Sequence, residues 1–419
     1  MNRPHRGNLR VPLPTALRRV LWMSSTFLIV STYMGIFVNL YIWQKHASIA
    51  EVCWYNIVMF AAWGVGFTLG ANSVTRYATR LPMRLSAFSG MAAFILLLTL
   101  HISNDYLWIT MVAVPAGLFG GFYYSGQNLT ITRLGQGEEF SAFYFYQNLV
   151  NQVIGLVNPI VSALLIHWFG YTSSFVLMFL LVCVMFGISF AVPKITYQSA
   201  VKTEGSFYHH IRWREVFPNP SLRVMHAGLF VGGLFFQFQA ALALFLTFSV
   251  TGNKIFIGVL SMGYTLACVV GLRIYQRVHV DKKLWMNIGV AMTVVGFLLA
   301  IFPNYITRIV SNFFTTVGMF YFGSVWNGQQ YAMFSELAPM HIARLFTWRE
   351  NTFNVARLAV YGALFPLHQF TGIPFYTILA VMIVSSVFVP YLQTKSLSLA
   401  LAARQRQIQP GLKEHIHQT

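Results

Sequence analysis

Twelve stretches of this 419-residue chain are apolar enough over about 20 residues to cross a lipid bilayer, and this pattern constrains the fold more than any other feature. They run over residues 20–43, 52–71, 84–102, 107–129, 140–167, 172–192, 223–250, 255–274, 284–302, 306–333, 343–368 and 373–392. Inside lipid every backbone N–H and C=O must be satisfied within its own segment, so these stretches read as helices. Charged residues make up only 9% of the chain, against about 25% in a soluble domain. A water-soluble surface cannot be built from them. Disorder is excluded as well, because 38 Phe, 20 Tyr and 10 Trp are too many aromatics. The expected fold class is an all-α membrane protein whose first partner is the lipid bilayer.

Links between the spans are short, with one exception. Residues 193–222 are polar and hold Lys194, Lys202, Arg212 and Arg214. They divide the chain into a tail (1–19), a six-helix bundle (20–192), a central loop (193–222), a second six-helix bundle (223–392) and a C-terminal tail (393–419). The net charge of +18 would suggest nucleic acid in a soluble protein, but here it is the positive-inside bias of a membrane protein. Of 28 Lys and Arg, alternation leaves only Lys45, Lys254 and Arg308 outside, and Arg357 falls within a span. Both termini are therefore expected in the cytoplasm, which requires an even number of spans, and the plasma membrane is the expected location. The first apolar run is too long for a signal-peptide core and no small-residue cleavage site follows it, so no cleavage is expected. Cys53, Cys183 and Cys268 lie in apolar stretches and offer no disulfide framework, CxxC or metal site. No phosphate-binding loop lysine motif is present, and no cofactor is expected.

The two groups of six echo each other. Gly70 and Arg76 close the second span, and Gly271 and Arg277 close the eighth at an offset of 201. Gly117-Leu-Phe matches Gly318-Met-Phe at the same offset, and Gly126-Gln127 matches Gly328-Gln329 at 202. The shared offset argues for a duplicated six-helix unit.

Twelve spans as six plus six, with a central loop and two related halves, resemble the major facilitator superfamily over roughly residues 15–395. That superfamily usually carries Gly-x-x-x-Asp-Arg-x-Gly-Arg-Arg between spans two and three. Here Arg76 and Arg80 match, Thr75 stands where the Asp would be, and Ala71 and Ala78 replace glycines. The loop from Gly271 to Lys283, with Arg277, is a similarly worn copy. The resemblance implies that Arg76, Arg80 and Arg277 belong to gating loops, although the family's charge latch lacks its acid here. Gly155-Leu-Val-Asn158-Pro159 is similar to the Gly-x-x-x-Gly-Pro of antiporters in the fifth span, with Asn158 in place of the second Gly. The resemblance also implies alternating access by a monomer. Spans one, four, seven and ten would line the cavity, helped by two, five, eight and eleven.

Few acids can carry chemistry inside the membrane. Asp105, Asp281, Glu138, Glu139, Glu204, Glu215 and Glu414 fall in loops or tails, and Glu51 and Glu336 at interfaces. Only Glu350 lies within a span. Glu350, Asn354 and Arg357 are spaced i, i+4, i+7 and share one helix face. Arg357 is some 21 Å into the span, near mid-bilayer, where a charge must face a partner or water. Two turns separate it from Glu350, too far for a direct pair on a straight helix, so Asn354 bridges them or each has a partner elsewhere. Arg349 points away and reads as an interfacial anchor.

At offset 202, Asn148, Gln152 and Gly155 of the fifth span match Glu350, Asn354 and Arg357. With Asn151, these amides offer hydrogen bonds to a polar solute, or serve as glue between helices. Tyr124 and Gln127 in the fourth span, and Trp326 and Gln329 in the tenth, suit a ring-bearing or amphipathic solute, or their aromatics belong to the belt at the membrane interface. Gln237 and Gln239 of the seventh span cannot share one face, so at most one reaches the cavity, and Gln237 is the candidate. His209-His210 and Glu414-His-Ile-His417 are solvated loop and tail residues rather than metal ligands.

The expected function is secondary active transport of a small polar or amphipathic solute, with protons as coupling ion if Glu350 titrates. The alternatives are a multidrug-type exporter of cationic amphiphiles and a lipid flippase on the same fold. A membrane enzyme is excluded because the outer loops offer too few acids and histidines for a reaction centre.

Overall fold

The computed structural model describes residues 13–134, 138–278, 281–334 and 337–416. Glu336 and His417 lie outside the described residues, as do the side chains of Glu138, Glu139 and Glu414. Among the described residues, twelve long helices account for the spans. In chain order they are α1 (Thr15–His46, passing through a π-helical turn at Met34–Val38), α2 (Ile49–Arg76), α3 (Arg80–Thr99) and α4 (Asp105–Leu134). One helical run, Glu138–Ala191, is broken at Gly170 (φ 79°) into α5 (138–169) and α6 (171–191). Then come α7 (Pro220–Val250), α8 (Lys254–Arg277), α9 (Lys282–Leu299), α10 (Tyr305–Phe334), α11 (Pro339–Leu364) and α12 (Ile373–Ile416).

Local chemistry sets the corners. Ala47 adopts a left-handed conformation that ends α1, and Ser48 Oγ accepts the Glu51 N–H to start α2. Asn253 and Asp281 cap α8 and α9 through their side-chain oxygens. Most helix ends differ by a few residues from the hydropathy reading, and three differences bear on the fold. α1 starts at Thr15 rather than residue 20, and α12 continues through residues expected as a tail, because a helix need not stop where its apolar stretch does. α11 runs over 339–364 rather than 343–368, since Pro339 fits the first helical turn and Pro366 cannot follow within it. Among the described residues, nine helical stretches are long and apolar enough to cross a membrane, with α5 and α6 merged into one. α10 and α11 fall below that mark because they carry the polar groups described below.

Each half is knitted by close helix approaches. A Cβ at Gly117 of α4 would stand 2.0 Å from the Met59 carbonyl oxygen of α2, and one at Gly121 would stand 2.3 Å from the Trp63 carbonyl oxygen. In the second half Gly289 of α9 and Gly318 of α10 meet across 2.6 Å in the same sense. The halves touch along two seams, α2 with α11 and α5 with α8. On the first seam Asn351 Nδ2 donates to Thr68 Oγ1 at 2.9 Å. On the second, Thr265 Oγ1 donates to the Gly155 carbonyl at 3.2 Å. At the end that holds the 47–48 and 251–253 corners the halves close on each other. Trp43 packs 6.1 Å from both Phe245 and Phe248, and Gln44 Nε2 reaches the Gly252 carbonyl at 3.5 Å. The opposite end carries most of the arginines and is called the basic end below.

The central segment forms a strap across the basic end. Tyr197 donates to the Leu129 carbonyl of α4 at 2.9 Å, and Thr79 N–H donates to the Ile195 carbonyl at 3.1 Å. On the other side buried Arg344 of α11 donates to the carbonyls of Glu204, Ser206 and Phe207 at 3.1, 3.0 and 3.2 Å. Trp348 adds a bond to the Ile211 carbonyl at 2.7 Å. Removing Arg344 leaves Ser206 its bond from the His209 N–H at 3.1 Å but strips the Glu204 and Phe207 carbonyls of this donor, at a cost of about 1–3 kcal/mol each where they stay dry. Arg344→Ala is therefore expected to speed tryptic cleavage at Lys202, Arg212 and Arg214. Unchanged cleavage kinetics would mean that the strap is held by other contacts.

Candidate substrate and coupling site

The polar stripe of α11 lies on the seam between the halves. Glu350 is 7% exposed and Asn354 3% exposed, while Arg357 is partly open. Arg357 Nη1 donates to Glu350 Oε1 at 2.9 Å and to Asn354 Oδ1 at 2.7 Å. The direct ion pair corrects the sequence expectation that these charges stand too far apart. Seven residues span about 10 Å along a helix, but Cα–Cβ bonds tilt toward the N-terminus. The long arginine side chain therefore folds back over two turns onto Glu350. The position along the helix is corrected too. With α11 starting at Pro339, Glu350 sits some 16 Å in, near the middle, and Arg357 lies toward the closed end.

Aromatic rings from the other half cover the guanidinium. Its Cζ is 4.8 Å from the centroid of Phe60 and 5.4 Å from that of Trp63, both on α2, and 5.9 Å from that of Phe353. Such contacts favour a cation in a partly dry site. The approach is possible because residue 64 is glycine. A Cβ there would meet Asn351 Oδ1 at 2.9 Å and Asn354 Nδ2 at 3.3 Å. Beyond Nη1, no hydrogen bond to the described residues uses the Nε–Nη2 edge of Arg357. The buried Asn354 Nδ2 and Trp63 Nε1 also lack partners among the described residues.

The other expected residues divide into groups. In the first half Gln127 Nε2 donates to Ser24 Oγ at 2.9 Å, Ser24 donates to Gln147 Oε1 at 2.7 Å, and Gln147 Nε2 donates to Asn151 Oδ1 at 2.9 Å. This ladder joins α1, α4 and α5 along a cavity of about 230 Å³ that Tyr124, Asn148 and Asn151 also line. Tyr124 stacks on Trp63 at 5.3 Å, which connects this cavity to the aromatic cover of Arg357. Gln152 lies on α5, half-buried. In the second half Trp326 is buried, edge-on to Phe353 at 5.8 Å. Gln237 donates to the Tyr361 hydroxyl at 3.2 Å, and Gln239 turns to Thr315 of α10 instead.

Gln329 accepts from Gln393 of α12 at 3.1 Å, so it sits between α10 and α12. Arg349, expected as an interfacial anchor, instead clamps α10 through Asn327 at 3.2 Å and Gln330 at 3.5 Å. Arg76 lines a cleft of about 580 Å³ beneath the central strap, Arg80 donates to the Val192 carbonyl, and Arg277 is exposed at the end of α8. Sequence reasoning did not select Ser24, Gln147, Phe60, Trp63 or Asn351. Gln147 carried a signal, as an amide one position from Asn148. The α2 aromatics carried none, because their role depends on α11 crossing there.

Residues 21–361 match the family model of the Major Facilitator Superfamily. A search of curated proteins returns no match. Solved structures agree in fold across nearly the whole chain. A POT family transporter in complex with 5-aminolevulinic acid superposes with a TM-score of 0.66 at 13% identity, covering 91% of this chain and 97% of that one. A structure described under substrate recognition in proton dependent oligopeptide transporters gives 0.62 at 11% identity, covering 93% and 99%. A peptide transporter POT in complex with sulfate gives 0.64 at 12% identity, covering 95% and 96%.

Proposed function

The chain belongs to the major facilitator superfamily, and from that premise we propose that it is a proton-coupled secondary transporter of a small solute bearing a carboxylate or phosphate group. One observation carries the reading: a guanidinium on the seam between the halves, paired through Nη1 to a buried carboxylate and, among the described residues, without a hydrogen-bond partner on its Nε–Nη2 edge. A planar Nε–Nη2 edge matches the two oxygens of a carboxylate or phosphate. The rings of Phe60, Trp63 and Phe353 suit an apolar or aromatic body, and the Gln147–Asn151 ladder suits its polar substituents.

Coupling follows from competition. Solute and Glu350 share one cation, so a proton on Glu350 releases the guanidinium to the solute. Departure of the solute restores the pair and expels the proton. Two six-helix bundles, bounded by residues 20–192 and 223–392, rock about the seams in a monomer. Both termini lie in the cytoplasm of a plasma-membrane protein, and the basic end faces the cytoplasm. The compared POT structures support this reading, since one holds 5-aminolevulinic acid, another holds sulfate, and a third belongs to work on proton dependent oligopeptide transporters.

The test is a thermal-shift screen of the purified protein against carboxylates, phosphates, sugars and cationic amphiphiles. An anionic solute is expected to raise the melting temperature by mass action, and Arg357→Ala is expected to remove that shift. Stabilisation by cationic amphiphiles that survives Arg357→Ala would overturn the proposal in favour of a multidrug-type exporter. Arg357→Ala also leaves Glu350 buried and unpaired, a loss of about 3–5 kcal/mol. Arg357→Lys therefore serves as the better-folded companion, keeping the charge without the planar edge.

A further inference from the structure

At the closed end, away from the α11 stripe, three potential ligands converge from three helices. His46 is the last residue of α1, Glu51 lies in the first turn of α2, and Asp105 opens α4. One donor atom from each lies within 4.8 Å of the other two. His46 Nδ1 stands 3.0 Å from Glu51 Oε1.

The carboxylate of Glu51 is the unusual member. Ser48-Ile-Ala-Glu51 is a capping-box sequence, in which the acid normally turns back to the N-cap N–H. Only the serine half forms here, with Glu51 N–H on Ser48 Oγ at 3.2 Å. The carboxylate turns to His46 instead. Glu51 is 8% exposed, and its second oxygen, Oε2, is buried without a partner among the described residues. A buried carboxylate oxygen with nothing to accept is costly unless something cationic fills the place.

We infer that His46, Glu51 and Asp105 form a divalent transition-metal site on the outer face of the protein. One imidazole nitrogen with two carboxylate oxygens is a mixed donor set that suits zinc and its first-row neighbours. Lys45 is the resident competitor, with Nζ 3.5 Å from Asp105 Oδ1 and 4.2 Å from the ring centroid of Trp108. The metal displaces it from Asp105. A bound ion ties the end of α1 to the starts of α2 and α4, beside Trp43 and Gln44, where the halves close.

Calorimetric titration of zinc chloride into the purified full-length protein at neutral pH tests the site without reference to any transported solute. One ion per chain is expected. His46→Ala and Asp105→Asn, both at accessible side chains, are expected to weaken binding at least about tenfold. Lys45→Met is expected to tighten it. His209→Ala, at the basic end, is expected to leave it unchanged. The inference is overturned if the wild type takes up no zinc, or if binding is equal in wild type, His46→Ala and Asp105→Asn.

Discussion

Glu350→Gln is expected to lose solute accumulation driven by a pH gradient by about 100-fold, the scale on which removing a proton-transfer group acts. Exchange of solute across proteoliposomes at equal pH is expected to persist. The substitution keeps the volume and one carbonyl oxygen, so Arg357 Nη1 still has an acceptor where Oε1 now stands at 2.9 Å. Only the titratable charge is lost. Burial makes that charge the costly element of the site: Glu350 is 7% exposed in a helix set between the two halves. Its neutralisation is tolerated in either state only while Arg357 finds another anion. The same variant is expected to flatten the dependence of solute affinity on pH. Gradient-driven accumulation at the wild-type rate in Glu350→Gln would place the coupling group elsewhere.

Gly117→Val is expected to prevent folding of the first bundle. A Cβ at residue 117 would sit 2.0 Å from the Met59 carbonyl oxygen and 2.8 Å from Ala62 Cβ. The first obstacle is backbone, so α2 and α4 must separate along their shared interface. That interface also relies on Gly121, where a Cβ would stand 2.3 Å from the Trp63 carbonyl oxygen. Overpacking of this kind costs about 3 kcal/mol or more. Loss of monodisperse protein on size-exclusion chromatography is the expected result. Gly328→Ala is the contrast, because a Cβ there meets nothing within 4 Å and removing a helical glycine gains about 0.5–1 kcal/mol. Equal yields from the two variants would show that α2 and α4 adapt.

The same glycines mark where the repeat stops being symmetric. Gly117 and Gly318 are equivalent by sequence offset, yet Gly117 lies against α2 and Gly318 against α9. Gly70 and Gly271 keep equivalent neighbours, α4 and α10, but at different distances. A Cβ at Gly70 would clash with Ser125 Oγ at 2.0 Å, whereas one at Gly271 would meet the Tyr321 side chain, its hydroxyl nearest at 3.2 Å. Duplication is legible as shared spacing, but helix distances within each half depend on side chains that have since differed.

By itself the sequence determined the class of molecule, the spans and the helix that carries the charges. Those properties follow from one-dimensional quantities: apolar run length, the cost of charge in lipid, and the i, i+4, i+7 spacing of Glu350, Asn354 and Arg357. The tertiary structure decided what those charges touch. That Arg357 folds back onto Glu350 depends on side-chain direction along the helix. Its cover by Phe60 and Trp63 depends on a glycine that lets α2 approach from the other half of the chain. The turning of Gln329 to α12 and of Arg349 to α10 likewise rests on which neighbour each helix face meets. Periodicity gives a residue its helix face, and only the crossing of distant helices gives that face a partner.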